Sequence, residues 1–244
     1  MNPAVAATGL TQSFGGKLIF HDVGLTVGRS EIFAILGGSG SGKSTLMRQL
    51  IGLLPLGEGQ ARVLGHDVAT EIEMIRRQIG VLFQSGALFG SLSLLENVML
   101  PLRTLTALPA TACAAIARLK LAQVGLADAV GLRPAEISGG MAKRAGIARA
   151  LALDPPLLFL DEPSAGLDPV TSAELDALIL RLRDSLGATF VVVTHEVASI
   201  LAIADSCMML DRGAKGVVAR GDPRVLARDS DVPAVRGFFN RLPA

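Results

Sequence analysis

"EIFAILGGSGSGKSTLMRQLIGLL" (31–54) contains three kinds of sequence in succession. "EIFAIL" (31–36) is a short apolar run, "GGSGSGKST" (37–45) is a glycine loop, and "TLMRQLIGLL" (45–54) has helical spacing until Pro55 stops it. Strand, glycine loop and helix together form a phosphate cradle. The glycines let the backbone curl so that successive N–H groups point at one anion. Gly37, Gly42, Lys43 and Ser44 fit the Walker A pattern, with Lys43 as a point charge at the β/γ-phosphates and Ser44 as a hydroxyl for Mg²⁺. A glycine turn that merely precedes Lys-Ser is the alternative, and the flanking strand and helix weigh against it.

Downstream, "VLF" (81–83) reads as a short strand before Gln84. Ser93 to Gly125 has a helical pattern, with "ATACAAIARLKLAQV" entered through Pro109. A further helix covers 138–153. "LLFL" (157–160) and "TFVVV" (189–193) are continuous apolar runs, as expected of central parallel strands buried on both faces, and "PVTSAELDALILRLRDSL" (169–186) is an amphipathic helix between them. The expected fold is a parallel α/β core formed by residues 1–84 and 156–222, interrupted by a helical insert over 85–155, with 223–244 as a C-terminal tail.

The 244 residues include 23 basic and 22 acidic ones, so no basic excess points to nucleic acid. Cys113 and Cys207 have no paired spacing, and the N-terminal residues have no signal-peptide pattern, so a cytosolic chain is expected. "QIGVLFQSGALFGSLSLL" (78–95) is uncharged, but two Gln, three Ser and three Gly break it as a membrane span. It reads as a buried or partner-covered surface, and a membrane role would need another subunit.

Several residues carry chemistry only in combination. "LLFLDE" (157–162) ends in two acids: Asp161 suits Mg²⁺, and Glu162 suits a base or positioner of the attacking water. His195 and Gln84 each follow a strand, where the ligand crevice of an open α/β sheet lies; alone, each is more often structural. Phe14 is either a core residue or a stacking platform for adenine. "ISGGM" (137–141) opens a helix without a Lys-Ser/Thr pair. It is either a local cap or the half-site that completes the ATP site of a second copy.

The Walker A loop, Gln84, "ISGGM", "LLFLDE", "SAGLD" (164–168) and His195, in this order and spacing, resemble the ABC ATPase domain. Ile137 and Met141 depart from the family's usual Leu-Ser-Gly-Gly-Gln. The resemblance implies a P-loop NTPase (RecA-like) parallel-sheet core with an inserted helical subdomain. It implies ATP and Mg²⁺ as cofactors. Gly37, Gly38, Ser39, Gly40, Ser41, Gly42, Lys43, Ser44 and Thr45 would hold the phosphates, and Ser44, Gln84 and Asp161 the metal. Glu162, His195 and Gln84 would act in catalysis, with His195 on the γ-phosphate. Ser138, Gly139 and Gly140 would contact the opposite ATP of a homodimer, and Asp168 would reach across it. "FQSGALFGSLSLLENVMLPL" (83–102), "SGGMAKRAGIARALALDP" (138–155) and "VRGFF" (235–239) further resemble the ATPase of MCE-type (Mla-like) lipid transporters. That implies an integral-membrane permease, an MCE substrate-binding subunit, phospholipid cargo and a peripheral site on the inner face of the cell membrane. An importer or exporter ATPase for another solute is the alternative.

Overall fold

The chain begins with a hairpin of β1 (Val5–Phe14) and β2 (Lys17–Val27), turned by Gly15 and Gly16. β3 (Ile32–Leu36) then leads into α1 (Lys43–Leu50), followed by β4 (Glu58–Val63), β5 (His66–Asp67) and α2 (Ile72–Arg76). β6 (Ile79–Leu82) precedes three helices, α3 (Leu94–Leu105), α4 (Ala110–Gln123) and α5 (Gly139–Ala150). Next come β7 (Leu157–Asp161), α6 (Pro169–Leu186), β8 (Thr189–Val193), α7 (Val197–Ile203), β9 (Ser206–Asp211) and β10 (Gly216–Gly221). α8 (Pro223–Asp229) and α9 (Pro233–Phe239) close the computed structural model, which describes residues 2–240.

Two sheets result. One has four antiparallel strands in the order β2-β1-β4-β5; the other has six, in the order β10-β9-β3-β8-β7-β6. In the second, β9, β3, β8, β7 and β6 run parallel and only edge strand β10 is antiparallel. β3, β7 and β8 are buried at every position. Their side chains alternate between two cores, as the two-residue strand period requires. Leu158, Leu160, Phe190 and Val192 pack with α3, α4, α5 and α6. Leu157, Phe159, Val191 and Val193 pack with α1 and the antiparallel sheet. The α/β class with a parallel-strand sheet is the class expected from the continuous apolar runs. The antiparallel sheet was not anticipated.

Between β6 and β7 the helices form their own layer. Ser93 and Glu96 start α3 as a reciprocal cap: the Glu96 N–H donates to Ser93 Oγ (3.2 Å), and the Ser93 N–H donates to Glu96 Oε2 (2.8 Å). Fully buried Asn97 ties the preceding loop, accepting from Phe89 N and donating to the carbonyls of Phe89, Leu92 and Ser93. Lys120 of α4 is buried and paired with Asp154, joining this layer to the approach to β7. After β10, residues 223–240 fold onto the sheet, where Val235 and Phe239 are buried against Leu36 and Met209.

Candidate active site

The strand order brings four loops together at one edge of the sheet. The C-terminal ends of β3, β8, β7 and β6 are neighbours, and they lead into Gly37, His195, Glu162 and Gln84 respectively. β3 is inserted between β8 and β9, which puts the 37–45 loop at the middle of this edge, and the carboxyl ends of the strands are where an open α/β fold binds its ligands.

The 37–45 loop is possible only with glycine at two points. Gly37 has φ 143°, and a Cβ there would lie 2.2 Å from the Leu210 carbonyl oxygen. Gly42, at φ 98°, would place one 2.8 Å from the Phe20 ring. The backbone curl, with β9 packed close against Gly37 and β2 against Gly42, therefore excludes a side chain at either point. Gly38, Ser39 and Gly40 are exposed at the top of the loop, and Thr45 lies within α1. Lys43 is buried, and its Nζ donates to the carbonyls of Gly37 (2.8 Å) and Gly38 (3.0 Å). Burial lowers its pKa, opposed by the charges of Glu162 and Asp161. Ser41 Oγ is buried without a partner among the described residues.

Asp161 ends β7, buried, with Ser44 Oγ 3.4 Å from its Oδ1. Burial raises its pKa and adjacent Glu162 adds to that, while Ser44, Arg48 and Lys43 oppose it. Glu162 adopts φ 47°, the left-handed region that costs a non-glycine residue roughly 1 kcal/mol or more. Its N–H donates to the Val193 carbonyl (2.8 Å), and its own carbonyl accepts from Ala165 N (3.2 Å). Oε1 meets His195 Nδ1 at 2.8 Å; Oε2 is buried and has no partner among the described residues. His195 stands just before α7 with its side chain 54% exposed, and its Nε2 is 3.7 Å from Glu196.

Ser138 and Asp168 are both helix caps. Ser138 Oγ accepts from the Met141 N–H (3.2 Å) at the start of α5. Asp168 accepts from the N–H groups of Val170 and Thr171 (both 3.0 Å) and from the Thr171 hydroxyl (2.5 Å) at the start of α6. The Thr171 hydroxyl is the main cause of its lowered pKa. The two helix starts touch: a Cβ on Gly140 would lie 2.5 Å from Thr171 Cγ2. Gly139 is exposed beside Ser138. Phe14 ends β1 and is 47% exposed, so it is no core residue.

Sequence reasoning passed over Lys143 and Arg149. Lys143 is buried, and its Nζ donates to the carbonyls of Gln84 (2.5 Å) and Glu162 (3.1 Å). Arg149 donates to the carbonyls of Gly86 (2.9 Å) and Ala87 (2.7 Å). Two cations on one face of an Ala/Gly-rich helix were the available signal. Behind the 84–87 segment lies an open groove of ≈ 460 Å³, lined among others by Phe83, Ala87, Phe89, Leu100, Leu105 and Arg149. Leu88, Leu94 and Leu95 instead pack into the helical core.

A glycine cradle with a buried lysine, facing a strand-tip Asp-Glu pair and a histidine, is the constellation of an ATP-hydrolysing cassette. The chain belongs to the ABC transporter family, whose model matches residues 20–165. It is an ABC-type ATPase. Over 98% of its length it is 44% identical to the probable ribonucleotide transport ATP-binding protein mkl of Mycobacterium tuberculosis, covering 67% of that protein. It is 42% identical to the intermembrane phospholipid transport system ATP-binding protein MlaF of Escherichia coli, over 93% of this chain and 85% of MlaF. Among solved structures it resembles cbiO1 of Clostridium perfringens, part of the ABC transporter complex cbiONQ (TM-score 0.85, 27% identity, 93% and 92% of the two chains). It also resembles the ATP-binding cassette MJ0796, seen as a dimer bound to ADP and Pi (TM-score 0.80, 30% identity, 89% and 98%).

Proposed function

We propose that this chain is the ATP-hydrolysing subunit of a phospholipid transporter, working as a pair of copies on the cytoplasmic side of an integral-membrane permease, with an MCE substrate-binding subunit beyond it. The observation that carries the cargo assignment is the likeness to MlaF along most of both chains.

The site's own chemistry supports the hydrolytic reading. The 37–45 loop and Lys43 bind the phosphates, and Ser41 Oγ, buried without a partner, suits a phosphate oxygen. Glu162 Oε2, with no partner among the described residues, suits the attacking water, while His195 holds the other carboxylate oxygen and keeps Nε2 for the γ-phosphate. Among the described residues no cluster of His, Cys, Asp or Glu could hold a metal by itself. The Ser44 hydroxyl and the Asp161 carboxylate, with Gln84 as a third ligand, are the donor set Mg²⁺ takes when phosphate and water complete its shell. Bound Mg²⁺ would supply charge neutralisation on the transferred phosphoryl group. Phe14 offers the adenine an exposed ring.

Ser138 can accept the Met141 N–H and still donate its own proton, so capping α5 and contacting a partner's ATP are compatible. Ser138 and Gly139, exposed beside Asp168, form the surface that closes over the second nucleotide, with Gly140 buried behind them against Thr171.

The test is reconstitution with the permease in vesicles holding a fluorescent phospholipid. ATP should drive its transfer, and Glu162→Gln should cut hydrolysis by about a thousandfold or more while ATP still binds and holds two copies together. Transport of ribonucleotides without phospholipid movement would transfer the assignment to the function named for mkl.

A further inference from the structure

Helix α5 makes more than a capped N-terminus. Lys143, Gly146 and Arg149 lie on the face of α5 that runs along residues 82–87. Lys143 Nζ holds the Gln84 carbonyl at 2.5 Å, and Arg149 holds the carbonyls of Gly86 and Ala87. Between them α5 approaches so closely that a Cβ on Gly146 would lie 2.5 Å from Leu82 Cδ1. The helix and the 84–87 segment are therefore one mechanical unit. Its outer side, with Phe83, Ala87 and Arg149, is the wall of the open groove.

The second bond from Lys143 leaves this unit. The same ammonium donates to the Glu162 carbonyl at 3.1 Å. That peptide belongs to a residue held at φ 47°, a conformation that persists only when its surroundings over-determine it. Rotating the Glu162 peptide would swing the carboxylate away from His195. A buried ammonium is costly unless its protons are bonded, so a lysine here is an expensive way to fill space. A neutral apolar side chain would pack at less cost but would bridge nothing.

We infer that Lys143 is a positioning residue that couples the groove-lining segment at Gln84 to the backbone of Glu162. It sets the carboxylate for the attacking water according to whether a helix of the permease occupies the groove. This rests on the reading of Glu162 as the water-positioning carboxylate. Lys143 Nζ is bonded to two peptide carbonyls, and it acts through them.

The experiment compares Lys143→Met, Lys143→Arg and Glu162→Gln in the complex with the permease, measuring ATP affinity, KM, kcat and thermal unfolding. Lys143→Met should lower kcat about tenfold to a hundredfold, as a small misplacement of a catalytic group does, with KM and ATP affinity within about twofold. Lys143→Arg, which still has donors for both carbonyls, should restore kcat to within about threefold. The ratio of the permease-bound to the isolated rate should collapse in the Met variant and recover in the Arg variant. A merely structural lysine would instead change the melting temperature and leave that ratio alone, which would overturn the proposal. If Lys143→Met does not fold, Lys143→Gln takes its place. Its single shorter amide reaches one carbonyl at most, so it should lose the ratio, and a retained ratio counts against coupling. Should Glu162→Gln stop hydrolysis while the Lys143 variants behave as wild type, only the coupling fails. Should Glu162→Gln hydrolyse normally, the underlying reading of the site fails with it.

Discussion

Asp161, Glu162 and Asp176 are all buried acids, and each is stabilised differently. Asp161 faces Lys43 and the Ser44 hydroxyl, and Glu162 faces His195. Asp176, on α6, takes part in none of the ion pairs formed by the described residues, and its support is a hydroxyl, Ser199 on α7. Burial raises its pKa, partly offset by Ser199. The folded state therefore binds this proton more tightly than the unfolded chain. The stability it contributes is complete below the ordinary aspartate pKa and is lost as pH rises through the raised folded value. Asp176→Asn removes the ionisable group and keeps the shape. Its Tm should exceed that of wild type at pH 8 by roughly 2–4 °C, the shift that about 1 kcal/mol makes in a chain of this size. Near pH 4 the difference should vanish. Thermal unfolding at both pH values checks this, and an equal shift at each would mean that the carboxyl is not the cause.

Among the elements, legibility followed the simplicity of the local physics. β3, β7 and β8 were readable because strands buried on both faces must be apolar throughout. The antiparallel sheet was not, although "FGGK" carries a two-glycine turn signal. β1 changes register between Ala7 and Leu10, around Gly9 at φ 64°, and that irregularity erases the alternation that marks a half-buried strand. The phosphate loop and the Asp-Glu strand tip could be read because each is contiguous. The Lys143 bridge could not, since its two acceptors are backbone carbonyls 59 and 19 residues away. α5 shows both cases in one element, with a legible start and an illegible flank. If its start serves the nucleotide of a second copy, Ser138→Arg should leave ATP affinity of the isolated chain within about twofold while stopping turnover. The lost cap should cost about 1 kcal/mol of stability. Lys43→Ala should instead lose ATP affinity outright. Mixing the two variants leaves one of the two composite sites intact, so nucleotide-dependent pairing should reappear in the mixture. Equal losses of ATP affinity in both variants would disprove the cross-copy role.

At the scale of the molecule, residues 83–89 link the strand-end loops to the open groove: Gln84 follows β6 at the sheet's C-terminal edge, and Phe83, Ala87 and Phe89 line the groove. Among the described residues no helix is long and apolar enough to cross a membrane. In the proposed transporter the groove is the surface through which a permease would be coupled. The uncharged stretch over 78–95 divides between two environments that its composition could not separate. Leu94 is buried and Leu88 and Leu95 pack against the helical core, whereas Phe89 is 52% exposed on the groove wall. The backbone of Phe89 is held on both its N–H and its carbonyl by buried Asn97, so its ring is presented from a fixed support. An apolar ring kept exposed over a groove of this size suits a short helix from the permease laid into it. Phe89→Asp changes that surface without opening the core. It should fold with a Tm within a few degrees of wild type, bind ATP normally, and lose co-purification with the permease and transport together. Leu88→Asp instead places a charge at a partly buried position against the core and should destabilise the chain by about 1–3 kcal/mol. A Phe89→Asp chain that still co-purifies and transports at the wild-type rate would remove Phe89 from the docking surface. If the two variants had the same melting temperature, the division between core and groove would be wrong.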